Sequence, residues 1–301
     1  MTADLLLLIT AIIWGFAFVA QRIGMNHMGP FTFNAIRFSL GALSLVPFLV
    51  IGRKRRGANH QSLKKREFVP ILLTGLALFG GASLQQIGLV GTSAGKAGFI
   101  TSLYVILVPI IALMWKERTH LAHWVGAVLA VLGLYLLSIR GNFTISPYDL
   151  VVLLGAFLWA VHVHLIARVV KRVGAIRLAV IQFAICGLLS AAAALIFEDI
   201  TLPGIIGGGW AILYGSFLSV GLAYTLQLVA QRRANPTHAV ILLSLEGVFA
   251  ALGGWLVLGE GFTRRGLIGC VLILLGTLVS QFFATPHPNQ IEGKPEGAIN
   301  P

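Results

Sequence analysis

Four side chains have the chemistry to act on a small molecule, and all of them lie inside long apolar segments. They are Trp14, Trp159, His162 and Glu246. A carboxylic acid in such a segment is costly and marks a functional site by default, because it can bind an ammonium group or carry a proton. Two other interpretations stay open: Glu246 as a neutral acid that hydrogen-bonds a neighbouring helix, and His162 as a hydrogen-bonded core histidine rather than a proton relay.

Arg37 adds a positive charge to the same apolar surroundings. A long basic side chain in a membrane helix can snorkel towards the headgroups or pair with a carboxyl group. It can also bind the carboxylate of a ligand. The sequence leaves these three roles open.

The two tryptophans occupy equivalent positions in a repeated segment. Residues 4–14 read DLLLLITAIIW and residues 149–159 read DLVVLLGAFLW, with an offset of 145 and five identical positions. Each tryptophan falls near the middle of its apolar stretch, whereas tryptophan in membrane helices is enriched at the interfaces. An indole N–H has no partner in lipid. We therefore expect both rings to point inward, either as an aromatic wall for a ligand or as packing wedges.

The composition places the chain in a membrane. Apolar residues make up 57% of the 301 residues and charged residues 11%, and the mean hydropathy is +0.90. Soluble domains carry about 25% charged residues. The two cysteines lie in apolar runs, so we expect no disulfide or metal framework.

Ten apolar stretches are long enough to cross a bilayer as helices. Their length and continuity argue against strands of a membrane barrel. The fold class is therefore all-α integral membrane, with ten transmembrane helices. The spans are expected at 5–24, 31–51, 69–90, 94–114, 121–139, 149–168, 176–197, 209–229, 237–258 and 265–284.

The net charge of +12 could suggest nucleic-acid binding, but its distribution is that of a topology signal. With the N-terminus in the cytoplasm, 16 of the 22 lysines and arginines fall on the cytoplasmic side, which is the positive-inside bias. Because each copy of the repeat then holds five spans, the second copy is inverted. We predict a first five-helix repeat over 1–146, an inverted second repeat over 147–284 and a disordered cytoplasmic tail over 285–301.

The repeat continues beyond the fourth span with an offset of 143. Thr101 matches Ser244, and the pair Gly126 and Gly133, which lies on one helical face, matches a second pair at 269 and 276. Small residues let membrane helices approach closely. These glycines either pack spans five and ten within the fold or form a dimer interface.

Several segments resemble the EamA-type branch of the drug/metabolite transporter superfamily. They are IIWGFAFVAQR in span one, the pair Arg37-Phe38 in span two and SLEGVFAALGGWLVLGE from Ser244 to Glu260. The resemblance covers about residues 3–284. It implies a secondary transporter, often a metabolite or amino-acid exporter, with a central cavity between its halves. Gly247 stands where such transporters often carry a proline, which puts a proline-induced break in span nine in doubt.

Polar and aromatic side chains recur near the midplane of several spans, as in a small-molecule site. The predicted substrate-binding residues are Trp14, Gln21, Phe79, Gln86, Thr101, Ser102, Tyr104, Trp159, His162, Ser216, Ser244 and Glu246. Further polar or aromatic candidates in the same spans are Gln85, Tyr214, Ser219, Tyr224, Gln227 and His238. This lining suits a zwitterion with an apolar side chain better than a phosphate, which favours clustered Arg and Lys.

No GxxxxGK[ST], HExxH or GxSxG motif occurs, so we expect no ATP site, no cofactor, no metal and no enzyme activity. The sequence predicts a gradient-driven exporter of amphipathic metabolites, most of all amino acids, in the bacterial inner membrane with both termini cytoplasmic. Its partners would be the small-molecule substrate and the lipid bilayer, not nucleic acid. A multidrug efflux carrier is the alternative within transport, and an intramembrane enzyme or scaffold is the alternative outside it.

Overall fold

The structure, a computed structural model, describes residues 3–56, 63–116, 119–138, 146–261 and 263–283. Every regular element in these ranges is helical, which confirms the all-α prediction. The predicted tail at 285–301 and part of the loops that carry the basic residues lie outside the described residues.

The helices follow one another with short connections. They are α1 Ala3–Gly24, α2 Pro30–Arg56, a 3₁₀ turn Lys65–Glu67, α3 Phe68–Gly91, α4 Ala94–Ser102, α5 Tyr104–Met114, α6 Leu121–Ser138, α7 Pro147–Val173, α8 Ala175–Phe197, α9 Leu202–Gly207, α10 Gly209–Leu213, a π segment Tyr214–Tyr224, α11 Thr225–Gln231, α12 Pro236–Leu243, α13 Glu246–Leu258 and α14 Arg264–Phe282.

Eight segments of the described chain are long and apolar enough to cross a membrane. They are Ala3–Gly24, Pro30–Gly52, Lys65–Gly91, Ala94–Met114, Pro147–Val173, Ala175–Phe197, Gly209–Gln231 and Pro236–Leu258. They correspond to eight of the ten predicted spans. The fifth and tenth predicted spans are α6 and α14. The apolar part of α6, Leu121–Leu136, extends roughly 24 Å at 1.5 Å per residue, less than the ~30 Å hydrocarbon core.

Two spans are broken near their middle, where the sequence predicts continuous helices. One break lies at Leu103, between α4 and α5, and the other at Ser244–Leu245, between α12 and α13. At each break the backbone makes tighter bonds three residues apart, from Leu103 N to Ile100 O at 3.2 Å and from Leu245 N to Leu242 O at 3.2 Å. Span nine is thus broken although Gly247 replaces the proline. Discontinuous helices of this kind form the binding sites of many transporters.

The π segment Tyr214–Tyr224 is a feature that the sequence did not predict. Its widened turns leave carbonyl groups open to partners on α1: Thr10 Oγ1 donates to Ala223 O at 3.2 Å and Trp14 Nε1 donates to Ser219 O at 3.2 Å. Short π-helical stretches occur frequently at functional sites. Here the segment places Ser219 and Tyr224 opposite α1.

Helices α6 and α14 pack through glycines on both sides, a contact we call the glycine seam (Gly126, Gly133, Gly269 and Gly276). A Cβ added at Gly126 would lie 2.6 Å from Gly276 O, and one at Gly276 would lie 2.5 Å from Gly126 O. Gly133 faces Gly269 O in the same way. Of the two interpretations of these glycines, packing within the fold is confirmed.

Two glutamate side chains cap the N-termini of α2 and α4, which lie at the same end of the bundle. The Glu198 carboxylate accepts hydrogen bonds from Phe31 N and Thr32 N, both at 2.7 Å. The Glu260 carboxylate accepts from Ala94 N at 3.0 Å and from the next amide at 3.2 Å. Carboxylates at helix N-termini satisfy free N–H groups and favour the helix dipole, so these two acids are structural caps.

Candidate functional site

A narrow cavity lies inside the bundle, between the first and the second half of the chain. Its lining is contributed by α1 to α5, α7, the π segment and α11 to α13. The lining residues are Trp14, Phe18, Gln21, Arg37, Gln85, Thr101, Tyr104, Trp159, Val163, Ser219, Tyr224, Gln227, Leu243 and Glu246.

Both helix breaks open onto this cavity. Thr101 and Tyr104 flank the first break, and Leu243 and Glu246 flank the second. The second break lies within two residues of Glu246, the position that the repeat makes equivalent to Leu103. Each half of the chain therefore brings an interrupted helix to the same central space.

Three aromatic rings form one wall of the cavity. Tyr224 lies between the two tryptophans, with ring centroids 4.6 Å from Trp14 and 6.1 Å from Trp159. Trp159 Nε1 donates to Gln85 Oε1 at 2.9 Å, and the Trp14 indole donates to the π segment. Both indoles point inward, as the sequence analysis expects. Tyr224 joins them into a continuous apolar surface.

Amides cover the adjacent part of the lining. Gln85 Nε2 donates to Gln21 Oε1 at 3.0 Å, so Gln85 links Trp159 to Gln21. Gln86, next in the chain, turns away and donates to Gln21 O at 3.3 Å. The amides at 21 and 85 thus hold each other, and Gln85 also fixes one indole.

Several polar atoms at the cavity have no partner within the described part of the protein. They are Thr101 Oγ1, Tyr104 Oη, Gln227 Oε1 and Glu246 Oε1. The Tyr104 hydroxyl lies close to the Glu246 carboxyl and interacts with it, although no well-formed hydrogen bond joins them among the described residues. Nearly all buried polar atoms in folded proteins have a partner, in the protein or in water. These four atoms are therefore available to hydrogen-bond water or a ligand.

The cavity is too small for a metabolite in this conformation. Its volume is about 40 Å³, enough for about three water molecules at 10–15 Å³ each. A ligand the size of an amino acid enters only if the surrounding helices separate.

One basic and one acidic side chain face the cavity from different helices. Arg37, on α2, and Glu246, at the start of α13, are 2% and 3% exposed. No salt bridge joins them within the described residues. Tyr224 lies within electrostatic range of both.

The structure brings six of the twelve predicted binding residues to the cavity: Trp14, Gln21, Thr101, Tyr104, Trp159 and Glu246. The other six lie outside its lining. Phe79 packs against the main apolar core, and Ser216 and Ser244 donate to carbonyl groups one turn earlier, Ile212 O and Ile241 O, both at 2.7 Å. Back-bonding of this kind is a common fate of serine in a helix.

The remaining three predicted residues lie close behind the lining. Gln86 bonds the α1 backbone, and Ser102 is buried with an unpartnered hydroxyl. His162 Nε2 lies 2.9 Å from Gln182 Oε1, and its ring packs edge-on against Trp159 at 5.6 Å. His162 thus contacts the aromatic wall on the side that faces away from the cavity.

Eight lining residues were not among those predicted to bind. Four of them, Gln85, Ser219, Tyr224 and Gln227, stand in the wider set of polar and aromatic candidates, and Arg37 had three possible roles. Phe18, Val163 and Leu243 carry no signal, because an apolar residue in a membrane helix gives no indication of whether it faces lipid or a cavity. Among the described residues no group of three His, Cys, Asp or Glu side chains could hold a metal ion.

The chain is similar to proteins described as transporters. The model of the EamA-like transporter family matches residues 1–139 and 146–282. A transporter of Archaeoglobus fulgidus is 33% identical over 281 residues, covering 92% of this chain and 85% of the relative. The inner membrane transporter YedA of Escherichia coli is 26% identical, covering 82% and 84%.

A relative with a stated substrate and a solved structure extend the comparison. The threonine/homoserine exporter RhtA of Salmonella typhimurium is 29% identical over 268 residues, covering 85% of this chain and 83% of the exporter. A crystal structure with 21% identity superposes with a TM-score of 0.76, covering 94% of this chain and 97% of the other. At that identity the likeness supports the fold alone.

Proposed function

The chain belongs to the EamA-like transporter family, and we propose that it is a secondary transporter that exports amino acids across the bacterial inner membrane. It is a multi-pass membrane transporter, like its relatives. The substrate, the direction and the mechanism are the proposal. The observation that carries it is the central cavity, which combines an aromatic wall, the buried side chains of Arg37 and Glu246, and four polar atoms without a well-formed hydrogen bond to any described residue.

The proposed architecture is ten helices in two inverted five-helix repeats, residues 1–146 and 147–284. The family model matches the two halves separately, which supports the repeat. The glycine seam has the pattern of a twofold axis, because Gly126 meets Gly276 while Gly133 meets Gly269. The helix breaks at 103 and 244–245, which lie within two residues of equivalent positions, support the same axis.

Two polar contacts at opposite ends of the bundle fit the same symmetry. Asp149 forms a salt bridge with Lys96 at 2.6 Å, and the carboxylate of Asp4, its repeat equivalent, lies 2.9 Å from His238 Nε2. Equivalent contacts at opposite ends are expected where an inverted-repeat carrier closes one side at a time. The positive-inside bias supports a cytoplasmic location for both termini.

The small cavity supports transport by alternating access. Because about 40 Å³ holds only water, a substrate is admitted when the halves rock apart on one side and is released when they part on the other. No ATP-binding motif is present in the sequence, so the driving force is a gradient. In this proposal Glu246, whose Oε1 makes no well-formed hydrogen bond to a described residue, carries the coupling proton.

Amino acids are the substrate class that the lining favours. The aromatic wall suits an apolar side chain, and the buried polar atoms suit a small zwitterion. The similarity to a threonine/homoserine exporter supports the same class. Clustered cations, which a phosphate or nucleotide sugar would need, do not line the cavity among the described residues.

A multidrug efflux carrier is the second candidate. Trp14, Trp159 and Tyr224 in one wall, together with the acid Glu246, could also hold a flat organic cation, because aromatic faces attract cations. The two candidates differ in what they require of the substrate: a carboxylate for the first and a large apolar cation for the second.

Counterflow in proteoliposomes separates the candidates. Liposomes loaded with one unlabelled compound are diluted into its labelled form, for L-threonine, L-leucine, L-phenylalanine and a cationic dye. We expect uptake of at least one amino acid above that of empty liposomes and none of the dye. Uptake of the dye alone would favour the efflux carrier, and the absence of any flux would reject both.

A further inference from the structure

We propose that Arg37 is the carboxylate anchor of the cavity, so that the transported molecules must carry a free carboxylate. This inference rests on the proposed transport function and specifies its substrate. Neither the family match nor the relatives' names assign a role to Arg37.

Arg37 is a buried cation without an acidic partner. Its side chain is 2% exposed, and no carboxylate among the described residues forms a salt bridge with it. Buried charges in proteins are normally paired, because burial costs several kcal/mol per ion that the partner must offset. A ligand anion would supply the missing partner.

The guanidinium group is held in place through Nε, which leaves the N–H donors of Nη1 and Nη2 for a ligand. Its Nε donates to Asn34 Oδ1 at 2.9 Å, and its carbon lies 4.8 Å from the ring centroid of Phe38 and 5.4 Å from that of Phe33. Nη1 and Nη2 have no protein partner in the described part of the chain. Two parallel N–H donors on a fixed plane match the two oxygens of a carboxylate.

The surroundings of Arg37 argue against a purely structural role. Arg22 shows what a structural arginine does in this protein: its Nη1 donates to Leu89 O and Val90 O, at 3.1 and 3.2 Å, and so fixes the end of α3. Arg37 fixes no helix end and instead lines the cavity.

The chemistry of the anion follows from the rest of the lining. Arg37 is the one cationic side chain among the described residues that line the cavity, so a singly charged group fits better than a phosphate. Glu246 faces the same cavity and can accept the ammonium group of a zwitterion. Tyr224 lies within range of both residues and presents the apolar wall to the side chain of the substrate.

The test compares amino acids with their amides, which differ only in the carboxylate. Dissociation constants are measured by calorimetry on the purified full-length protein for L-threonine, L-leucine and L-phenylalanine and for the three C-terminal amides. The proteins are the wild type, Arg37→Lys, Arg37→Gln and, as a matched control, Arg22→Gln. All titrations are repeated with methanesulfonate in place of chloride.

In the wild type and in Arg22→Gln, we expect each amide to bind at least tenfold more weakly than its acid. In Arg37→Gln the acid should lose at least tenfold in affinity, so that acid and amide bind alike. The affinity of Arg37→Lys for the acid should lie between those of the wild type and Arg37→Gln, because lysine keeps the positive charge but lacks the two parallel N–H donors of the guanidinium group. If Arg37→Gln does not fold, Arg37→Lys takes its place, and an undiminished preference for the acid in Arg37→Lys would overturn the anchor.

Equal binding of acid and amide by the wild type would overturn the anchor while leaving amino-acid transport standing. The same holds for a preference that Arg37→Gln retains. If acid and amide bind alike and both gain affinity when chloride is removed, Arg37 holds an inorganic anion and the anchor is rejected. Failure of every amino acid to bind would reject the proposed function itself.

Discussion

The central cavity and the glycine seam are two contacts between the halves of this chain, and they are built in opposite ways. At the seam, glycine backbones touch, and no buried side-chain nitrogen or oxygen of α6 or α14 lacks a partner in the described residues. His123 Nδ1, for example, lies 2.8 Å from Ser280 Oγ across it. At the cavity, four polar atoms lack a well-formed hydrogen bond to any described residue, and the open volume is about 40 Å³.

The difference separates stability from transport. A seam without free volume or unmet hydrogen bonds has no room for a ligand and holds α6 and α14 together as one unit. Buried polar atoms without hydrogen bonds at the cavity lower the stability of the folded protein, and a substrate that binds there raises it again. Substitutions at the seam should therefore change folding, and substitutions at the cavity should change flux.

The largest effect is expected from Gly133→Ala. The added Cβ would contact Gly269 O and lie 2.8 Å from Ile273 Cγ1. Overpacking of this kind costs about 1–3 kcal/mol, and a backbone neighbour cannot turn aside. We expect a lower midpoint of thermal unfolding in detergent. The matched control is Gly52→Ala on α2, where a Cβ meets no atom within 4 Å; an equal drop in both variants would refute the tight seam.

Trp159→Ala should remove most of the transport. It deletes one of the three rings of the aromatic wall and the hydrogen bond to Gln85, so we expect initial counterflow to fall at least about tenfold, which corresponds to ~1.4 kcal/mol. Trp210→Ala is the control, since Trp210 is 70% exposed and does not line the cavity. If Trp159→Ala transports at the wild-type rate, at equal amounts of folded protein, Trp159 only packs between helices and does not bind the substrate.

Glu246→Gln should uncouple transport from the proton gradient while leaving exchange partly intact. The amide keeps the shape of the side chain but cannot release a proton. We expect a pH gradient to accelerate wild-type uptake several-fold and to leave the variant unchanged. Persistent gradient dependence in Glu246→Gln would assign proton coupling to another group.

Glu198→Gln should give the smallest effect and no change in flux. Glu198 is a glutamate like Glu246, but its oxygens accept from Phe31 N, Thr32 N and Thr32 Oγ1, each at 2.7 Å. Losing the charge of a helix cap costs about 1 kcal/mol. A slightly lower unfolding midpoint with wild-type counterflow is the expected outcome, and a strong transport defect would contradict the division between structural and functional acids.

The sequence predicted the features that depend on composition and repetition. Apolar length is enough to place helices in a membrane, and the echo of Trp14 in Trp159 led to the aromatic wall. The turn at Gly91-Thr92-Ser93, between α3 and α4, was likewise readable from its residues, and Ser93 Oγ accepts from Lys96 N there at 3.2 Å.

The sequence did not reveal features that arise only from packing. Carbonyl groups of the π segment accept hydrogen bonds from side chains of α1. No periodicity in the sequence predicts these hydrogen bonds. Lining residues such as Val163 and Leu243 look like any lipid-facing residue. Ser216 and Ser244 lie outside the cavity lining and donate to backbone carbonyls of their own helices, and the sequence does not show whether a hydroxyl in an apolar helix bonds its own backbone or lines a cavity.

The most direct test of the cavity as the amino-acid binding site is ligand-induced stabilisation of four proteins: the wild type, Trp159→Ala, Trp210→Ala and Gly133→Ala. Thermal unfolding is followed with and without saturating amino acid, chosen as the one with the highest counterflow. We predict that the amino acid raises the unfolding midpoint of the wild type, Trp210→Ala and the seam variant by similar amounts and leaves Trp159→Ala unchanged. An undiminished rise in Trp159→Ala would contradict the account, because the amino acid would then bind elsewhere.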